Sequence, residues 1–108
     1  MRILFDNGAP NAIVKILVGH EVTFSRAIGW HEFRNGELIL QAEEAGYDLL
    51  LTTDKNIRYQ QNLLRRKIAL VVLGNSQWPQ VRLHLEEIAA AVNASTPGSY
   101  TEVAIRFR

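Results

Sequence analysis

The sequence predicts an α/β fold, a parallel β-sheet with helices on both faces. Three observations predict it. Short apolar runs of strand length alternate with stretches of helical period. Helix candidates open on Pro or Asn and close on Gly. The resulting β-α-β-α-β order requires crossover connections, which is how parallel neighbours are joined.

Residues 2–5 read as a short buried strand, and Pro10 stands where a first helical residue is favoured. Ile13, Ile16 and Leu17 fall on one helical stripe, and Gly19 supplies the stop. Residues 21–24, Glu-Val-Thr-Phe, are rich in β-formers, and residues 25–33 form an irregular stretch carrying Trp30. Asn35 is a good N-cap for a helix over about 36–45, in which Leu38, Ala42 and Ala45 share a face and Gly46 is the stop. A third strand is expected over residues 47–52, then a short turn or helix through Ile57 and Tyr59. The basic stretch Arg65, Arg66, Lys67 leads into the continuous apolar run 68–73, the best candidate for a central strand. Pro79 opens the last helix, where Val81, Leu85, Ile88 and Val92 repeat at helical spacing. A turn-rich break over 93–98 then leads to a terminal edge strand within residues 99–107.

Composition bounds the chemistry. Cysteine is absent, which excludes disulfides, zinc-thiolate sites and thiol catalysis. His20, His31 and His84 are too scattered for an imidazole metal site and read as surface or capping groups, so any metal would be oxygen-ligated. No nucleotide-binding glycine motif occurs, no apolar stretch reaches membrane-spanning length, and no leader pattern precedes the first strand. The expectation is a single cytoplasmic domain over residues 1–108 with no membrane partner. Twelve basic and 11 acidic residues give a net charge of +1, so only local clustering can argue for nucleic acid.

Two aspartates carry the functional signal. Asp6 follows Ile3-Leu4-Phe5 and Asp54 follows the run 49–53, so both belong at the carboxyl ends of strands, the edge where open α/β sheets bind ligands. Glu37, in the first turn of a helix, can reach the same edge. Repulsion among three such carboxylates is relieved by a cation, so metal binding should stabilise the fold. Taken singly, each acid has a plainer role: Asp6 in a turn before Asn7-Gly8, Asp54 as an N-cap, Glu37 complementing a helix dipole. Their joint placement favours the metal reading. Arg58, Tyr59, Arg65, Arg66 and Lys67 resemble a phosphate-contacting patch beside the acid cluster, against the alternative of a solvated loop. Trp30 and Trp78 are expected in the core or at an interface.

The segments Met1-Arg2-Ile3-Leu4-Phe5-Asp6-Asn7-Gly8-Ala9-Pro10, Gly19-His20-Glu21-Val22, Asn35-Gly36-Glu37-Leu38 and Leu51-Thr52-Thr53-Asp54-Lys55-Asn56-Ile57 resemble, in order, small PIN-like proteins grouped as a domain of unknown function. Arg58-Tyr59-Gln60-Gln61-Asn62-Leu63 resembles one branch of that group. The resemblance implies a three-layer α/β/α sandwich and a Mg²⁺- or Mn²⁺-dependent ribonuclease, the toxin of a toxin-antitoxin pair. It implies Asp6, Glu37 and Asp54 as catalytic metal ligands, RNA as substrate, an antitoxin protein as partner and a homodimer as a further expectation. Asn7, Asn35 and Asn56 stand where relatives often carry acids, so one ion is expected rather than two, with these amides in supporting positions. The rival is a PIN-like module without productive metal chemistry that binds a protein or RNA. A phosphatase-like or nucleotide-handling enzyme would need a phosphate cradle the sequence lacks.

Overall fold

In the computed structural model, which describes residues 1–55, 57 and 66–105 and only the backbone of Asn35, five strands form one sheet, all parallel. They are β1 (Arg2–Phe5), β2 (Glu21–Phe24), β3 (Leu49–Thr52), β4 (Ala69–Leu73) and β5 (Tyr100–Val103), in the order β2-β1-β3-β4-β5. Among the described residues, helices are α1 (Asn35–Glu44), the short α2 (Trp78–Val81) and α3 (Leu85–Ala94), and 3₁₀ segments occupy Asn11–Ile16, Ser25–Ile28 and Arg82–His84.

Strand alternation divides the core in two. Ile3, Phe5, Leu49, Leu51, Val71 and Leu73 point to one face, where Ile13, Leu17, Val81, Ile88 and Val92 cover them. Leu4, Leu50, Leu70 and Val72 point to the other and meet Leu38, Ile39 and Ala42 of α1, with Ile57 and the partly buried Trp30. β3 and β4 are buried along their whole length, as interior parallel strands must be. The run 68–73 is thus interior, although β3 holds the middle of the sheet.

The connection from β1 to β2 and that from β4 to β5 pack on the same face but run in opposite directions across the sheet, so they have opposite hands. Crossovers are right-handed in about 98% of cases, and the β2 to β3 connection, on the other face, shares the hand of the first. The α3 crossover is the exception. Residues of the 3₁₀ turn and of α3 together cover that face.

Several boundaries differ from the sequence expectation. The segment after Pro10 is 3₁₀ rather than α-helical. α1 starts at Asn35, with Arg34 in the cap position. β3 begins at Leu49 because Tyr47 N–H bonds back to the Ala42 carbonyl and closes α1. The last helical region is broken by a 3₁₀ turn, and β5 ends at Val103. Gly46 directly follows the α1 cap Ala45 and acts as its stop, whereas the first segment already ends at Ile16 with Leu17 as its cap, before Gly19; both glycines have positive φ, 88° and 85°, where a side chain would be strained. Among the described residues, no helix is long and apolar enough to cross a membrane.

Candidate functional site

The strand order sets the site. From β1 the chain moves one way to β2, then back across β1 to β3, so the order reverses between β1 and β3, where such sheets open a crevice at their carboxyl ends. Asp6 lies there. Its N–H donates to the Leu51 carbonyl at 2.8 Å, one step beyond the β1–β3 ladder, and its own carbonyl accepts from Ala9 N–H at 3.0 Å in a tight turn. Gly8 lets the turn pack closely: a Cβ there would stand 2.7 Å from Thr53 Oγ1, and that side chain would have to shift.

Thr52, fully buried at the end of β3, joins the two aspartates. Its hydroxyl donates to Asp6 Oδ2 at 2.6 Å and accepts from Asp54 N–H at 3.2 Å. Asp6 Oδ1 accepts from Asn7 N–H at 2.7 Å, so each carboxylate oxygen holds one hydrogen bond and retains lone-pair capacity for another partner. Asp6 and Asp54 are both half-buried. The third acid is placed differently: Glu37 is exposed on the first turn of α1. Among the described residues, no three acidic or histidine side chains converge on one point.

Asp6 and Asp54 therefore share an edge, bound through Thr52, while Glu37 is not drawn in with them. Thr52 reaches Asp54 through its backbone N–H, and its buried hydroxyl both donates and accepts, so the donors left for an ion are carboxylate oxygens. Mg²⁺ is commonly held by one or two carboxylates with water and substrate phosphate completing the shell, and the donor types present fit such an ion.

Of the basic patch, Arg66 and Lys67 are among the described residues. Arg66 lies three residues before β4, and its carbonyl faces Gly98 just before β5, so it stands at the amino-terminal edge of the sheet. β4 has five residues, roughly 16 Å of extended chain, and separates that edge from Asp6. Arg66 is consequently not beside the acids, contrary to the expectation. Asn56, Arg58, Tyr59, Arg65 and the Asn35 side chain lie outside the described residues.

Among the described residues, Arg26, which the sequence expectation does not include, lines the same cleft as Asp6. Its Nε donates to Asn7 Oδ1 at 3.0 Å, and both residues line a cleft of about 390 Å³ with Phe5, Asp6, Asn11, Phe24, Ser25 and Ala27. The signal for Arg26 was the pairing of β1 with β2: Phe5 lies opposite Phe24, so the residues after each are neighbours. Asn7 is tied to Asp6 through its backbone and to Arg26 through its side chain.

No protein-family model, curated protein or solved structure matches the chain.

Proposed function

We propose that the chain is a PIN-like domain, a three-layer α/β/α sandwich, that hydrolyses RNA phosphodiester bonds with one Mg²⁺ or Mn²⁺ and acts as the toxin of a toxin-antitoxin pair. The observation that carries this reading is the joining of Asp6 and Asp54 through the buried Thr52 hydroxyl, at the point where the strand order reverses. The ordered resemblance of the sequence segments to PIN-like proteins supports it.

Asp6 and Asp54 would hold the ion. Bound there, a divalent cation polarises a phosphoryl oxygen and lowers the pKa of a coordinated water. Thr52 fixes the Asp6 carboxylate by donating to Oδ2 and positions the Asp54 backbone by accepting its N–H. Asn7 turns the Arg26 guanidinium toward the same edge, where a phosphate oxygen is its natural acceptor.

A second reading, a PIN-like module that binds RNA or a protein without cleaving, is favoured by one observation: Glu37 is exposed and no third acid joins the two aspartates among the described residues. Thermal melting against Mn²⁺ separates the two. A ligand at about ten times its Kd stabilises by roughly 1.4 kcal/mol, about 5 °C or more for a domain of this size. The hydrolase reading expects that rise in the parent and its loss in Asp54→Asn. A parent that melts identically at every Mn²⁺ concentration would favour the binding module. RNA cleavage equal in the parent and in Asp6→Asn would assign the activity to a contaminant or another site.

A further inference from the structure

We propose that the cleft beside Asp6 is a subsite for one unstacked nucleotide, with Arg26 as the residue that holds its phosphate. This deepens the ribonuclease reading and rests on it for the identity of the substrate.

Four observations converge on the cleft. Arg26 is exposed and, among the described residues, makes no ion pair, although Asp6 lines the same space. Its Nε is committed to Asn7 Oδ1, which orients the planar fork and leaves the terminal nitrogens as donors; that is the arrangement in which guanidinium takes a phosphate bidentately. The floor is aromatic, with Phe5 and Phe24 edge to face at 5.5 Å and Phe24 only partly covered, which offers an apolar wall to a base or ribose. Ser25 also lines the cleft; it is 1% exposed, and its Oγ has no hydrogen-bond partner. A buried hydroxyl without a partner is unfavourable, and rotation about χ1 lets it meet a polar ligand atom. The exposed Asn11 lines the cleft as well and brings an amide that both donates and accepts.

The volume of about 390 Å³ falls in the range of small-ligand pockets, roughly 300–1,000 Å³. It suits one nucleotide and excludes a duplex, so the substrate strand must be single-stranded or splayed at this point. Position adds a charge argument. Asp6 stands beside the cation, so without a divalent ion its carboxylate opposes phosphate entry. Arg26 attracts the phosphate and Asp6 repels it, and the two contributions are separable by mutation.

The test is calorimetric titration of adenosine and guanosine 5′-monophosphates into the full chain in EDTA. The expected result is weak, saturable binding that falls at least about tenfold in Arg26→Gln, recovers in part in Arg26→Lys, and is unchanged in Arg82→Gln, an exposed arginine in a separate cleft with Glu86 and Glu87. Asp6→Asn is expected to bind the metal-free nucleotide more tightly than the parent. Because Arg26 is exposed, its variants are expected to melt with the parent, which checks that they are folded. A parent that binds neither nucleotide overturns the proposal, as does equal weakening by Arg26→Gln and Arg82→Gln, the mark of unspecific charge attraction. Failure here with Mn²⁺-dependent cleavage intact sinks the subsite alone. Nucleotide binding in EDTA with no response to Mn²⁺ sinks the hydrolase reading and leaves the subsite standing.

Discussion

At the amino-terminal edge of the sheet, Glu43 Oε2 accepts from the backbone N–H groups of Lys67 and Ile68 at 2.8 and 3.2 Å, and Asp48 Oδ2 accepts from Arg2 N–H at 2.8 Å. Arg2 there packs on the fold: its Nη1 donates to the Ala45 carbonyl, and its guanidinium lies 4.5 Å from the centre of the Tyr47 ring. The Met1 amino group, His20 and Asn93 form a chain of hydrogen bonds that ties β2 to the end of α3. At the carboxyl-terminal edge the same residue types are left with capacity. Asp6 accepts one bond on each oxygen, Arg26 keeps its terminal nitrogens, and Ser25 Oγ has no partner. Glu43 and Asp48 at one edge serve the fold, whereas Asp6 at the other is held in position with acceptor capacity left over. That difference separates a structural carboxylate from a candidate ligand, and residue type alone does not show it.

The largest expected contrast comes from removing one acid at each edge. Asp54→Asn should lower Mn²⁺-dependent RNA cleavage by at least about 10²-fold, since a loss of that order follows even from removing groups that only support a metal ligand. The Asp54 N–H that Thr52 accepts is retained in that variant. Glu43→Ala should act on the fold instead. Two backbone donors lose their acceptor, at a cost of about 1–3 kcal/mol in urea unfolding, with cleavage per folded molecule retained. Cleavage falling as far in Glu43→Ala as in Asp54→Asn would erase the distinction between the edges.

Thr52→Val sharpens the comparison within the site. The hydroxyl is fully buried and bridges the two aspartates, and valine keeps its shape without its polarity. The apparent Mn²⁺ affinity read from melting is expected to fall by about tenfold, the scale for a group that orients a metal ligand. Metal-free stability should fall by about 1 kcal/mol, because Asp54 N–H loses an acceptor. An unchanged Mn²⁺ response would mean that the bridge does not position Asp6 for an ion.

These contrasts also show what could be read before the structure. The strands were legible because interior parallel strands are buried on both faces and so carry continuous apolar runs, as residues 49–51 and 69–73 do. Asp6 and Asp54 were legible for the same reason, since each follows such a run. Arg26 was not, because its meeting with Asn7 depends on β1 pairing with β2, a contact between residues 19 positions apart that no local periodicity encodes. The Thr52 bridge was hidden likewise: a threonine ending an apolar run reads as one more β-former until the neighbouring strand supplies Asp6. Arg66 misled because adjacency in a basic stretch says nothing about which end of the following strand it occupies.

The smallest expected effect has the opposite sign to the others. Ser25 is 1% exposed with an unpartnered Oγ, so Ser25→Ala removes a polar atom that the free fold does not satisfy and keeps the rest of the side chain. The fold should gain up to about 1 kcal/mol, a rise of a few degrees in melting temperature. Nucleotide binding in EDTA should weaken by a few-fold at the same time, because the hydroxyl is one of the groups a ligand would complete. Residues kept for a site at a cost to the fold behave in this way. If Ser25→Ala destabilised the protein, the hydroxyl would have a partner in the free state, and the carboxyl-terminal edge would on this point resemble the amino-terminal one.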